Sequence, residues 1–403
     1  MKKLSIRDLS LKGKRCLIRV DYNVPLSPSG EVTDDTRIRA SLETLTYARQ
    51  QGARLVLVSH LGRPDGKVVE PLRMDPAARR LGKLLGIPIQ KSDGCIGEKV
   101  FRQSQALKEG EILLLENVRF HPEEEKNDPG FAKALAQSAE LFVNDAFGTA
   151  HRAHASTVGV TQFLPSAMGF LMEKEVAALS KVLFHPEKPF AMILGGAKVS
   201  DKVGVLESLI GKVDLILIGG AMAYTFLKVQ GVAVGRSRVE EDKLDVARSI
   251  LQKIQSKKIT LVLPGDHLTS SQPIGKEPLT QKQTRSPGIP DGEYGYDIGP
   301  ETVRRFTDQL KKVRTVLWNG PLGVFEQPLF AEGTREVARF LAGRQITSVI
   351  GGGDTVAAVT QLGFAEKMTH VSTGGGASLE FLEGKTLPGI AALTDKEKVG
   401  VQR

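Results

Sequence analysis

Short apolar runs alternate with longer amphipathic stretches along the whole chain, and this alternation restricts the fold more than any single motif. In the first part the runs are "RCLIRVDYNVP" (15–25), "ARLVLVSHLGRP" (53–64), "EILLLENVRFHP" (111–122) and "LFVNDAFGTAHRAHAS" (141–156). In the second they are "FAMILGGAKVSDK" (190–202), "LILIGGAMAYTF" (215–226), "TVLWNGPLGVFE" (315–326), "TSVIGGGDTVAA" (347–358) and "THVSTGGGAS" (369–378). Strand-like runs separated by helix-length segments are the mark of βαβ units around a parallel sheet. At 403 residues the chain exceeds one ordinary core, so more than one such domain is expected. The stretch "LMEKEVAALSKVLFHPEKP" (171–189) has apolar residues at helical spacing and ends at Pro186 and Pro189, which reads as a connecting helix.

The runs end in two kinds of chemistry. Those of the first part finish in polar residues: Asp21 and Asn23, His60 and Arg63, Arg119, then Asp145, His151, Arg152 and His154. Those of the second part finish in glycine turns that lead into helix-compatible sequence, or in "NGPLG". Ligands of open α/β sheets bind outside the carboxyl ends of the strands. The first set, with Arg37, suits a small anion, because arginine's fork matches carboxylate and phosphate oxygens. The second suits phosphates on free N–H groups at helix starts.

Within the second set, Lys198 and Lys202 stand four apart after a Gly-Gly turn, which predicts one helical face. A solvated helix start would explain them too. A cation in the first turn opposes the helix dipole unless an anion is bound there, which favours a phosphate site. "GGGDTVAA" (351–358) departs from a dinucleotide fingerprint, with Val356 in the third glycine position and no acidic strand end about twenty residues on, so NAD is not expected. Asp354 fits either a Mg²⁺ ligand shared with nucleotide phosphates or a helix N-cap. The polar stretch "GDHLTSSQPIGKEP" (265–278), and the loop to residue 290, have no clear assignment.

Composition narrows the remaining classes. The apolar share of 41% with 25% charged residues is that of a soluble globular protein. No stretch approaches the ~20 apolar residues of a membrane span. The N-terminal "MKKLSIRDLSLKGKR" has no apolar region behind its lysines, and Cys16 and Cys95 have no metal-site spacing; a cytoplasmic protein with reduced thiols is expected. The net charge of +9 would suit nucleic acid, but aromatics are only 5% and no dense basic run occurs. An enzyme for highly anionic small molecules is the better reading, with neither nucleic acid nor membrane as partner.

Taken together, "RVDYNVP" (19–25), "DDTRIRA" (34–40), "SHLGRPDG" (59–66), "ENVRFHPEE" (116–124), "NDAFGTAHRAHAST" (144–157), "GGAKVSDK" (195–202), "IGGAMA" (218–223), "WNGPLGVFE" (318–326), "GGGDT" (351–355) and "STGGGAS" (372–378) closely resemble the phosphoglycerate kinase family, in order and over almost the whole chain. The resemblance implies two doubly wound, Rossmann-like parallel-sheet α/β domains joined by a helix, in a monomeric, hinge-bending kinase. The implied domains are 1–172, binding 3-phosphoglycerate, with 391–403 packed back on it; a helix and linker at 173–189; and 190–390, binding the nucleotide. The implied reaction is reversible Mg²⁺-dependent phosphoryl transfer between 1,3-bisphosphoglycerate and ADP, giving 3-phosphoglycerate and ATP.

By matching motif positions, Asp21, Asn23, Arg37, His60, Arg63, Arg119 and Arg152 would bind 3-phosphoglycerate. Gly196, Lys202, Gly219, Asn319, Pro321, Val324, Glu326, Gly352, Gly353, Asp354 and Thr355 would form the nucleotide site, with Asp354 the Mg²⁺ ligand. Lys198 and Arg37, with the helix entries at Gly353 and Gly374 to Gly376, Gly375 foremost, would hold the phosphoryl group in flight. The chemistry agrees: a carboxylate is ionised at neutral pH and needs no general base, so the problem is repulsion and alignment, which cations and oriented N–H groups solve. Hinge closure predicts a smaller radius of gyration with both substrates than with either alone. Small-angle scattering checks this, and equal radii in every state would overturn it.

Overall fold

The structure is a computed structural model that describes residues 3–275 and 279–399. The last four residues of the tail and positions 276–278 of the unassigned loop therefore lie outside the described residues. Two compact units divide the chain. One is built from the chain up to Ala177 together with the stretch from Thr386 onward, the other from Ala178–Lys385.

In the first unit six strands form one sheet: β1 (Arg15–Arg19), β2 (Arg54–Val58), β3 (Gln90–Lys91), β4 (Ile112–Leu114), β5 (Leu141–Asn144) and β6 (Ser166–Met168). Their order is β3-β4-β2-β1-β5-β6, and every pairing is parallel. Side chains alternate between the two faces of a strand. Thus Cys16, Ile18 and Val20 pack with Ile38, Leu45 and Ala48 of helix Thr36–Gln50 and with Leu81 of helix Asp75–Leu85. Leu17, between them, joins Val100 of helix Glu98–Ala106 and Phe131 and Leu135 of helix Pro129–Ala136. Both faces are covered, so the strands read as continuous apolar runs.

The second unit repeats the plan. β7 (Phe190–Leu194), β8 (Leu215–Ile218), β9 (Thr260–Val262), β13 (Thr315–Asn319), β14 (Thr347–Gly351) and β15 (His370–Val371) form a parallel sheet in the order β15-β14-β13-β7-β8-β9. The chain winds outward from β7 through β9, then returns and winds the other way from β13. The switch point therefore lies at the adjacent ends of β7 and β13. Trp318, the largest fully buried side chain, packs with Ala191, Ile193, Phe306 and Val337, and its indole N–H donates to the Gly320 carbonyl at 2.8 Å.

The unassigned loop contains structure that the sequence did not announce. β10 (His267–Ser270), β11 (Lys282–Gln283) and β12 (Tyr294–Ile298) form an antiparallel sheet in the order β11-β10-β12. The buried residues of β10 are His267, Leu268, Thr269 and Ser270, mostly polar, and its pairing with β12 slips between Leu268 and Thr269. Neither feature leaves a period-two apolar pattern to read.

The chain's two ends meet in the first unit. Lys3 is buried and donates to the carbonyls of Ala391 and Leu393, both at 2.7 Å, and pairs with Asp395 at 2.7 Å. Leu4 N–H donates to the Thr394 carbonyl, and Gly389 N–H to the Ala150 carbonyl. Removing a buried donor leaves its acceptors desolvated and unpaired, at about 1–3 kcal/mol. Lys3→Met is expected to lower the unfolding free energy by about that amount. Urea denaturation checks this; an unchanged midpoint would show that the tail docks without Lys3.

Candidate active site

At the carboxyl ends of the first sheet the polar residues converge on one another. Asp21, just past β1, accepts from Arg37 Nη1 at 2.8 Å and from the Asn23 backbone N–H at 3.2 Å. Asn23 Oδ1 accepts from Gly62 N–H at 2.8 Å, and Arg119 Nη1 donates to the Gly62 carbonyl at 2.9 Å, tying the ends of β1, β2 and β4 together. Arg119 Nε also pairs with Glu125 at 3.1 Å. Burial, opposed by Glu125 and Glu124 and reinforced by Arg152 and Arg63, lowers the Arg119 pKa, so those two arginines share its neighbourhood.

Behind them lies a residue the sequence reading passed over. Arg19, the last residue of β1, is almost completely buried. Its Nε donates to Ser156 Oγ at 2.9 Å, and Ser156 Oγ donates in turn to Glu124 at 2.6 Å. Arg19 Nη2 lies 3.1 Å from His60 Nδ1. A guanidinium can only donate, so Nδ1 accepts and the His60 proton sits on Nε2. Burial, then the charges of Arg19, Arg119, Arg37 and Arg152, push the His60 pKa well below the usual imidazole range. His154, 3.7 Å from Glu124, is pushed down to about 4, by burial and then by Arg19, Arg119 and Arg152. Both imidazoles are therefore neutral near pH 7, and His60 is an N–H donor without charge.

In the second unit a cavity of about 390 Å³ opens at the ends of β7, β8 and β13, within the size range of small-molecule sites. Of the expected residues, Gly196, Pro321, Val324, Glu326 and Asp354 line it. Lys202 stands beside the cavity with its Nζ hydrogen-bonded to Asn319 Oδ1; burial lowers its pKa, with Asp201 and Asp354 opposing. Thr355 Oγ1 accepts from Gly320 N–H at 2.6 Å, so it braces the turn after β13.

The glycines divide into two kinds. A Cβ on Gly320 would lie 2.1 Å from the Gly195 carbonyl oxygen, one on Gly220 2.6 Å from Gly196 N, and one on Gly219 2.7 Å from Leu322. A Cβ on Gly352, at φ 85°, would meet the Asn319 side chain at 3.0 Å. These glycines let three loops cross at the switch point. Gly353 and Gly375 have open space instead, at the starts of helices Gly353–Gln361 and Gly376–Leu382. Gly352 caps the first of these, and Asp354 makes no side-chain cap, so the N-cap reading of Asp354 fails. Among the described residues the Asp354 carboxylate has no hydrogen bond or ion pair, and no group of three or more metal-ligating side chains occurs. A cation held by one carboxylate plus ligand phosphates fits that arrangement.

One expectation is corrected. Lys198 and Lys202 do not share a helical face, because the helix begins at Val203 and Lys202 is its N-cap residue. Lys198 lies in the preceding loop, exposed and without a hydrogen bond or ion pair among the described residues. The Val199 and Ser200 N–H groups of this loop both donate to Glu240. The dipole argument therefore applies to Lys202, not to Lys198. The sequence reading also missed Arg236, Ser237, Arg238, Tyr294 and Tyr296, which line the cavity. They belong to no glycine motif, and only the fold brings "GRSR" and "EYGYD" to the switch point.

A phosphotransferase is the class that these features define: an arginine-rich anion site at one parallel sheet, and glycine helix starts around a cavity at the other. The family model described as phosphoglycerate kinase matches residues 6–385. A phosphoglycerate kinase of Moorella thermoacetica is 54% identical over 98% of this chain and 100% of its own length, and one of Synechococcus elongatus is 53% identical over 97% and 98%. Among solved structures, the phosphoglycerate kinase of Coxiella burnetii superposes with a TM-score of 0.87 at 39% identity, covering 97% of this chain and 98% of that one. That of Pyrococcus horikoshii gives 0.84 at 33% identity with the same coverage. The chain belongs to the phosphoglycerate kinase family. It catalyses reversible phosphoryl transfer between 1,3-bisphosphoglycerate and ADP, giving 3-phosphoglycerate and ATP.

The Arg19 contact gives a test by nuclear magnetic resonance. His60 is expected to show the Nε2–H tautomer and no titration step in the ordinary imidazole range, because burial and then Arg19, Arg119, Arg37 and Arg152 lower its pKa well below that range. A His60 midpoint near the ordinary ~6.5 would overturn the contact.

Proposed function

We propose that the first unit holds 3-phosphoglycerate through Asp21, Asn23, Arg37, His60, Arg63, Arg119 and Arg152, and that Arg19 sets the height of that site's positive field from behind. The second unit holds ADP or ATP in the cavity, with Gly196, Gly219, Pro321, Val324 and Glu326 at the nucleoside and Lys202, Asn319, Gly352, Gly353 and Thr355 towards the phosphates. Lys198 and Arg37, with the helix starts at Gly353 and Gly375, meet the charge of the transferring group. What most supports this reading is the combination at the second sheet: an unpartnered lysine, an unpartnered carboxylate and two glycine helix starts with open space beside them.

Asp354 would hold Mg²⁺ together with nucleotide phosphate oxygens. When bound, that ion neutralises phosphate charge and fixes the phosphates' orientation. The chain's own residues do the rest. The acceptor carboxylate of 3-phosphoglycerate is ionised at neutral pH and is the nucleophile as it stands. Arg37 shields it from the incoming phosphoryl group. Lys198, on a loop, bonds the equatorial oxygens best when charge spreads onto them in the transition state. His60, neutral, donates from Nε2 and takes no proton.

In this reading the enzyme works as a monomer in the cytoplasm on small anions. No helix among the described residues is long and apolar enough to cross a membrane. Both thiols are buried and unpaired, and burial pushes that of Cys16 up to about 12.

Lys198→Ala is expected to lower kcat by about 10³-fold while the ADP Kd changes less than about threefold. A coupled assay and calorimetry check this, and an unchanged kcat would remove Lys198 from the transition state. Asp354→Asn is expected to weaken Mn²⁺ binding in the presence of ADP by about tenfold or more, read by electron paramagnetic resonance. Wild-type Mn²⁺ affinity would show that Asp354 is no ligand.

A further inference from the structure

The Lys198 loop is held from outside by one carboxylate. Glu240 Oε2 accepts from the N–H of Val199 and, at 3.2 Å, from that of Ser200; Glu240 Oε1 accepts from Ser200 Oγ at 2.7 Å. These bonds fall on the two residues that follow Lys198. On the inner side, the Val199 side chain is completely buried, so the loop is pinned between a packed valine and a bonded glutamate. Glu240 is itself well anchored, since its N–H donates to Oγ1 of the buried Thr225 at 3.2 Å.

Glu240 also ends the segment that walls the nucleotide cavity. Arg236, Ser237 and Arg238, just before it, line that cavity, as do Tyr294 and Tyr296 of β12. Arg236 N–H donates to the Glu293 carbonyl at 2.8 Å, and Gly295 N–H donates to Ser237 Oγ at 2.9 Å. The wall is thus fastened to β12 at one end and to the Lys198 loop at the other. The residues that line the cavity and the carboxylate that bonds the residues after Lys198 thus belong to one short segment.

We propose that Glu240 is a positioning residue for phosphoryl transfer. It fixes the register of Lys198 and couples that register to the filling of the nucleotide cavity. It also occupies two loop N–H groups that would otherwise compete for phosphate, so Lys198 alone in this loop meets the moving group. The inference rests on the transition-state reading of Lys198. A misplacement of about 1 Å in a reacting group costs on the order of 10²-fold in rate. A carboxylate with three bonds to a loop is therefore able to govern kcat without touching substrate.

Four tests bear on it in the full chain. In Glu240→Ala, kcat is expected to fall about 10–100-fold while the KM for ATP and the ADP Kd change less than about threefold. Ser200→Ala, which removes one bond and no charge, is expected to fall about two- to fivefold, and it carries the test should Glu240→Ala not fold. Amide hydrogen exchange of residues 197–202 is expected to speed up in Glu240→Ala while β7 and β13 stay protected. In single-turnover assays, Glu240→Ala added to Lys198→Ala is expected to cost little further, because residues acting as one unit are not additive.

Unchanged exchange, a raised KM with unchanged kcat, or full additivity with Lys198→Ala would each overturn the proposal. A wild-type kcat in Lys198→Ala would overturn the reading of Lys198 and this inference with it. A lowered kcat in Lys198→Ala beside wild-type kinetics in both Glu240→Ala and Ser200→Ala would overturn this inference alone.

Discussion

Sheets covered on both faces leave polar chemistry very few exits, and the organisation of this enzyme follows from that restriction. β7 and β13 are unbroken runs of buried side chains, and β1 and β2 are buried at every residue after the half-buried Arg15 and Arg54 that open them. Burying each large apolar side chain contributes about 1.5–3 kcal/mol. A charge placed inside such a run forfeits that contribution and adds a desolvation cost. Charge therefore collects past the last strand residue, at the carboxyl edge, where loops and helix starts meet water. The exception, Arg19, is buried only because Ser156, His60 and the Val20 carbonyl accept its protons and Glu124 lies in its field.

The anion site shows how a cluster of like charges is kept without collapsing. Asp21 and Glu125 pair directly with Arg37 and Arg119, and Glu124 is linked to Arg19 through Ser156. The arginines still outnumber these carboxylates, and the surplus is what an anionic substrate would neutralise. The histidines add donors but no charge, since burial and the surrounding arginines keep them deprotonated. A site made this way binds charge and aligns it, and it contains no group poised to take a proton. That matches a reaction whose nucleophile is already a carboxylate.

The glycine-rich turns looked in the sequence like a single kind of phosphate loop. In the structure most of them serve crossing: Gly195, Gly220 and Gly320 exist because backbone lies where a Cβ would go. Gly353 and Gly375 are the ones with space left open. The Lys198 loop follows the crossing glycine Gly195, and beyond Lys198 it is held by Glu240.

Much of this was legible from residues 1 to 403 alone. The parallel-sheet α/β class and the ends of the strands as the chemical edge follow from runs of β-branched and apolar residues that stop in Asp, Arg, His or Gly, while the kinase family and its two domains came from the resemblance of ten motifs in order. Such patterns are local, and a strand buried on both faces declares itself within its own five residues. What the sequence could not decide were relations across long separations. The partner that holds the Lys198 loop is Glu240, forty-odd positions later, which accepts from the Val199 and Ser200 N–H groups. The tautomer of His60 depended on Arg19, forty-one positions earlier, and the cavity wall on the Glu293 carbonyl accepting from Arg236. Backbone propensity acts over one turn, whereas a hydrogen bond acts wherever tertiary packing delivers its partner. The sequence determined which groups were available and on which edge; the tertiary structure decided which of them were already spent on each other and which were left for substrate.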